Sequence, residues 1–207
     1  MTKPNFQAAK VYVLQRLETE LNSNLHYHGI HHTRDDVMPA AKKLGKLERI
    51  CKKDQLLLNT SALYHDIGYI EKHEQNEAIA VRIANQTLPG FGYSNAQIQR
   101  IGKIIMATQL KVIDGKYVQD PNPNDILQQL ICDADLDSLG REDFFRVGET
   151  LRLELIEYGM PKTPIEWLGC QLEFQQNHSY FTNAARNLRN DGKEKNIKRI
   201  KEILGIE

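Results

Sequence analysis

The segment that most constrains the fold is residues 55–67, which are apolar on nearly every face of a helix. Its apolar positions are Leu56, Leu57, Leu58, Ala62, Leu63 and Ile67. A helix that is apolar all round has to be buried, so this segment predicts a central helix with other helices packed around it. His65 and Asp66 lie within the segment. An imidazole and a carboxylate are therefore expected inside the protein.

Most of the remaining chain also shows helical periodicity, as at Leu14, Leu17 and Leu21. Ser94 is a predicted N-cap for one of these helices. Strand-like alternation is confined to 112–118, where Asp-Gly offers a turn, and the Pro- and Asn-rich residues 120–124 are predicted to be a loop. We predict an all-α fold that forms one domain over residues 1–207.

Composition excludes some classes of function and indicates a compartment. The 27 basic and 27 acidic side chains of the 207 residues cancel, which argues against a protein that mainly coats nucleic acid or an anionic membrane. The three cysteines, Cys51, Cys132 and Cys170, form no Cys-x-x-Cys pair. The sequence has no apolar signal segment and no run of 18 apolar residues. These features predict a cytoplasmic protein with no membrane partner.

The buried pair His65 and Asp66 points to a metal, because burying both groups is costly unless they are paired or bind an ion. Adjacent helical residues point about 100° apart, so other segments must complete the site. Four of the seven histidines fall within residues 26–32, and a second acidic cluster contains Asp133 and Asp135. Helical periodicity alone does not choose between these two aspartates. A mixed nitrogen and oxygen ligand set suits Mn, Fe, Co, Ni, Zn or Mg.

The ordered motifs resemble the HD superfamily of metal-dependent phosphohydrolases. They are Tyr-His-Gly-Ile-His-His-Thr at 27–33, His-Asp-Ile-Gly at 65–68, His-Glu at 73–74 and Asp-Ala-Asp-Leu at 133–136. The resemblance covers about residues 25–140. It implies a single-domain helical HD fold in which residues 141–207 form a helical extension.

The resemblance also implies a set of metal ligands, namely His32, His65, Asp66 and Asp135. Asp133 is the alternative to Asp135, and His31 is a register alternative to His32. His28 is expected to support and orient the site. Some HD subfamilies bind a second metal through a histidine in the His-Glu pair and another near the end of a following helix, but residues 105–109 contain no histidine.

The function implied by the resemblance is hydrolysis of a nucleotide or a related phosphate ester by metal-activated water. Asp66 and His65 are the expected catalytic residues, and His73, Lys72 and Arg34 are candidates for substrate contact. A phosphodiesterase, a hydrolase of a nucleotide signal and a catalytically silent nucleotide-binding regulatory module are the alternatives. We expect His178 to be a packing residue and the Lys-rich stretch 193–201 to be a solvated helix face, so nucleic acid is not an expected partner.

Overall fold

A computed structural model describes residues 3–206 of the chain. In these residues the structure has nine α-helices: α1 (Phe6–Glu20), α2 (Met38–Leu47), α3 (Lys52–Tyr64), α4 (Asn76–Thr87), α5 (Asn95–Ile105), α6 (Ile126–Asp135), α7 (Phe144–Glu157), α8 (Pro164–Asn177) and α9 (Asn183–Leu204). The prediction of an all-α fold is confirmed. Within the same residues, no helix has both the length and the apolar character that crossing a bilayer requires.

Helix α3 occupies the centre of the fold, as its apolar sequence predicts. It packs against five helices, α1, α2, α4, α5 and α6. Leu58, Ala62 and Leu63 have no solvent-exposed area. The helix ends at Tyr64, however, and does not continue to Ile67 as the periodicity suggested. A short 3-10 turn at Ile67–Ile70 follows instead.

The only strands in residues 3–206 form the predicted hairpin. Strand β1 (Leu110–Ile113) pairs antiparallel with β2 (Lys116–Gln119). Asp114 and Gly115 both have positive φ, 50° and 76°, as a two-residue hairpin turn of type I′ requires. The exposed hairpin ends at a buried residue, Gln119.

The helices after residue 140 are joined to the rest of the fold by polar contacts. Asn196 on α9 donates hydrogen bonds to the carbonyls of Leu139 and Arg141, both at 3.0 Å. Arg189, also on α9, forms a bidentate ion pair with Asp137 at 2.6 and 2.7 Å. Because one partner in each contact is buried, α9 is fixed against the end of the region that carries the motifs.

Candidate metal centre

His65 and Asp66 lie immediately after α3, where the chain leaves the helix. His65 still has helical dihedral angles, but Asp66 has φ −105° and ψ 5°. The chain then passes so close to α4 that a Cβ atom on Gly68 would lie 1.9 Å from the carbonyl oxygen of Asn76. The glycine therefore permits the turn that presents both side chains to the same space.

His32 reaches this space from a different segment. Residues His32–Val37 form a π-helical turn ahead of α2, in which the N–H of Met38 donates to the carbonyl of Thr33. His32 is buried, whereas Arg34 on the same turn is exposed. The ring of Tyr27 packs on His32 with a centroid distance of 4.6 Å. Packing of this kind fixes the orientation of an imidazole ligand.

Asp135, the last residue of α6, completes a group of four side chains. Its Oδ1 atom is 3.1 Å from Nε2 of His32 and 3.5 Å from Nε2 of His65. The Oδ2 atom of Asp66 is 3.1 Å from Nε2 of His65 and 3.6 Å from Nε2 of His32. One donor atom each from His32, His65 and Asp66 therefore lies within 4.8 Å of the other two, and Oδ1 of Asp135 contacts both imidazoles from α6.

The distances from each carboxylate oxygen to the two imidazoles suit ligands of a divalent metal. Ligands about 2.0–2.2 Å from an ion lie roughly 3.0–3.5 Å from one another, close to the separations observed. Nε2 of His65 and Oδ2 of Asp66 are both buried and lack a hydrogen-bond partner, although they are only 3.1 Å apart. Buried polar atoms without partners are rare in proteins, and an ion bound between these two atoms would satisfy both.

The tautomer of His65 supports the same interpretation. Nδ1 of His65 lies 2.9 Å from the carbonyl oxygen of Ala62, which can only accept a hydrogen bond, so Nδ1 is the donor. A proton on Nδ1 leaves the lone pair of Nε2 facing Asp66 and Asp135. A backbone carbonyl that fixes a histidine in this way is a common feature of protein metal sites.

The electrostatics of the four side chains favour a bound cation. Burial opposes protonation of His65, but the carboxylates of Asp66 and Asp135 outweigh it and raise the pKa of His65 well above its usual value. Burial would raise the pKa of both carboxyl groups, yet the neighbouring imidazoles hold each pKa below its usual range. Because two charged carboxylates, Asp66 buried and Asp135 partly buried, face the imidazoles, a divalent cation would replace the imidazole protons here.

Asp133, the alternative ligand, lies on another side of α6. Its carboxylate accepts hydrogen bonds from the N–H groups of Phe181 and Thr182, both at 2.8 Å, and from the Thr182 hydroxyl at 2.6 Å. Burial raises the pKa of Asp133 to about 6, although these hydrogen bonds oppose the change. The structure therefore brings Asp135, and not Asp133, to the two histidines.

Gln119 also contacts the centre, although nothing in the sequence pointed to this residue. Its Nε2 atom donates to Oδ2 of Asp135 at 2.7 Å and to the carbonyl of Thr108 at 2.9 Å. The amide thus holds the carboxylate oxygen that does not face His32. A neutral residue at the end of a short hairpin gives no signal of this role in the sequence.

The structure places the other predicted residues around the centre in two groups. His28 and His73 lie together beside Glu154, a buried carboxylate on α7 that the sequence analysis did not identify. Lys72 and Arg34 are both about half exposed, and each pairs with a nearby carboxylate on its own segment. The geometry therefore gives the two cations no direct connection to the four donors.

Two further histidines lie apart from the candidate ligands. His31 is exposed, so the structure gives the buried position to His32. Both ring nitrogens of His178 are buried without a hydrogen-bond partner, and burial lowers the pKa of His178 to about 3. This ring packs between Phe174 and Tyr180, in keeping with the packing role expected from the sequence.

Comparisons with known proteins do not assign the chain to a family. No protein-family model matches the chain, and none of the curated proteins matches it significantly. The case for a metal centre therefore depends on the four donors and on the motifs that carry them.

Proposed function

We propose that this protein is a cytoplasmic, divalent-metal-dependent phosphohydrolase of the HD type, acting on a nucleotide or a related phosphate ester. The observation that carries the proposal is the convergence of His32, His65, Asp66 and Asp135, with two buried donor atoms that lack hydrogen-bond partners. A closed structural zinc site would use thiolates or more imidazoles. A mixed set with two carboxylates favours a catalytic ion with open positions.

Each side chain of the centre has a separate task in this proposal. A divalent ion held there would stabilise negative charge on a phosphoryl oxygen and make water more acidic. Asp66 presents Oδ2 to the imidazoles, so its Oδ1 atom is the one that would accept a hydrogen bond from the attacking water. His65, fixed by Ala62, holds its Nε2 lone pair in place. Asp135 is held in its turn by Gln119.

The proposed substrate class follows from the charge of the whole chain. The formal net charge is zero, so attraction for a phosphate group has to be local. A small phosphate ester needs only such a local site, whereas a polymeric nucleic acid needs an extended basic surface. A phosphomonoester of a nucleotide is the simplest substrate that satisfies this condition.

The test combines metal analysis with a substrate screen. We expect the purified protein to bind metal stoichiometrically and, with Mn²⁺ added, to hydrolyse phosphomonoesters faster than phosphodiesters. His65→Ala and Asp66→Ala should each lose the metal and at least 100-fold in rate, whereas the control His26→Ala should keep both. A folded His65→Ala or Asp66→Ala protein that retains stoichiometric metal would contradict the proposal. Faster cleavage of diesters would favour the phosphodiesterase alternative, and bound metal without activity would favour the regulatory module.

A further inference from the structure

A second cluster of metal-binding side chains lies beside the first and draws on three separate segments. His28 precedes the π-helical turn, His73 follows the 3-10 turn, and Glu154 is on α7. One donor atom from each lies within 4.8 Å of the other two. Oε1 of Glu154 is 2.5 Å from Nδ1 of His28 and 3.8 Å from Nε2 of His73.

Glu154 is fully buried, and its two oxygens have different partners. Oε2 accepts hydrogen bonds from the backbone N–H groups of Tyr27 at 2.8 Å and His28 at 3.0 Å. Oε1 faces the two imidazoles. The backbone contacts fix the carboxylate, so Oε1 is a preorganised donor.

The partners of His28 match those of a metal-binding imidazole. The Tyr69 hydroxyl lies 3.2 Å from Nε2 of His28, and the two rings are stacked at 4.2 Å. A cation bound at Nδ1 would leave the proton of His28 on Nε2, where it can donate to the Tyr69 oxygen. This is the arrangement in which an outer acceptor fixes the tautomer of a ligand.

The environment of His73 is not explained by a simple ion pair between His28 and Glu154. Its Nε2 atom is buried and lacks a hydrogen-bond partner. The distance of 3.8 Å to Oε1 of Glu154 is too long for a hydrogen bond. The ring of Tyr158 packs against His73 with a centroid distance of 4.1 Å and holds it in this position. A buried nitrogen aimed at a carboxylate, with a gap between them, is what a bridging cation would satisfy.

We propose that His28, His73 and Glu154 form a second divalent-cation site. Three ligands about 2.0–2.2 Å from an ion are roughly 3.0–3.5 Å apart, and the observed 2.5 and 3.8 Å lie on either side of this range. Two imidazoles and one carboxylate select Zn²⁺, Co²⁺, Ni²⁺ or Fe²⁺ over Mg²⁺ and Ca²⁺. Three protein ligands leave a position open for water or a ligand oxygen.

This site differs from the second metal site that the HD resemblance implies. That arrangement pairs the histidine of the His-Glu motif with one near the end of a following helix, where residues 105–109 have none. Here His28 and Glu154 supply the other two donors. The rings of His28 and His32 are 5.9 Å apart, so the second site would adjoin the first without sharing a ligand with it.

Metal counting on the full chain tests the site with Zn²⁺ alone. The metal is first removed with a chelator, and Zn²⁺ binding is then measured by equilibrium dialysis and calorimetry. We expect two equivalents on the wild-type protein and one on His65→Ala. Adding His73→Phe to His65→Ala should remove the remaining equivalent or weaken it at least 100-fold, because the phenyl ring keeps the packing on Tyr158 but has no donor. Adding His26→Phe instead should leave it unchanged.

The two proposals fail in different ways in this experiment. If the wild-type protein binds one equivalent and His65→Ala binds none, the second site is wrong and the first stands. If the last equivalent survives in a folded His65→Ala/His73→Phe protein, the second site is also wrong. If His65→Ala still binds two equivalents, the first centre is wrong. Glu154→Gln, which keeps an oxygen for the backbone donors, is the second variant should His73→Phe not fold, and it should weaken the second site to the same degree.

Discussion

Asp133 and Asp135 are two residues apart on α6, yet their carboxylates have different partners on different sides of the helix. Asp135 lies 3.1 Å from Nε2 of His32, while Asp133 receives three hydrogen bonds at the start of α9. Helical geometry turns such residues about 200° apart, so only one of them can face the histidines. The sequence did not choose between Asp133 and Asp135 as the ligand. The choice depends on which segments pack against each side of α6.

Substitution of the two aspartates should separate metal binding from stability. Asp135→Ala should lose stoichiometric metal. Asp133→Ala should keep the metal but lower the free energy of unfolding by about 2–4 kcal/mol, because the buried N–H groups of Phe181 and Thr182 lose their acceptor. Metal analysis and urea denaturation of each variant measure both effects. Loss of metal from a folded Asp133→Ala protein would contradict this assignment.

The close approach at Gly68 predicts a strong effect of one methyl group. Gly68→Ala would place Cβ 1.9 Å from the carbonyl oxygen of Asn76, so the 3-10 turn and α4 must move apart. We expect a loss of about 3 kcal/mol in the free energy of unfolding and weaker metal binding through Asp66. Gly90→Ala is the matched control, because a Cβ there has no neighbour within 4 Å. Equal stability of the two variants in urea denaturation would show that the close approach has no cost.

Gln119 should affect the metal without affecting the fold. Gln119→Met keeps most of the side-chain volume but removes the 2.7 Å hydrogen bond to Asp135. We expect metal affinity to fall about 10–100-fold, the usual effect of removing a group that orients a ligand. Competition with a chromogenic chelator measures the affinity. Tyr117→Ala on the exposed side of the same hairpin should leave it unchanged, and an unchanged affinity in Gln119→Met would exclude the role of the amide.

The buried His178 predicts a loss of stability in acid. Burial lowers the pKa of His178 to about 3, against about 6.5 in an unfolded chain, so below pH 6.5 the unfolded state binds the proton more readily. The imidazole should therefore cost up to about 2 kcal/mol of stability at pH 5, increasing toward pH 3. His178→Phe, which keeps the contacts with Phe174 and Tyr180, should lack this loss. Urea denaturation from pH 7 to pH 4 tests it, and parallel curves for the two proteins would refute it.

Local signals in the sequence predicted much of the fold. Ser94 caps α5 through a reciprocal capping box with Gln97, and the Asp-Gly turn at 114–115 forms the hairpin. The prediction of a buried helix with His65 and Asp66 at its apolar end placed both residues close to their observed positions, but missed the end of the helix at Tyr64. That end depends on how closely Gly68 approaches α4, a contact between elements that periodicity does not report.

The parts of the site that could not be predicted come from distant segments. Glu154 lies 126 residues from His28, with which it makes its shortest contact. One signal was available: Glu154 falls in the same helical stripe as Leu151 and Leu155, where an apolar residue is expected. A carboxylate at such a position has to find a buried partner, but the sequence does not name it.

Glu154 also affects whether residues 25–140, which carry the motifs, can fold on their own. The backbone N–H groups of Tyr27 and His28 have their acceptor on α7, outside residues 25–140. A chain that stopped before α7 would leave both donors without this acceptor, and each unpaired buried donor costs about 1–3 kcal/mol. The segment that carries the motifs is therefore not self-sufficient. Any other extension that replaced residues 141–207 would have to supply an acceptor at the same point in space.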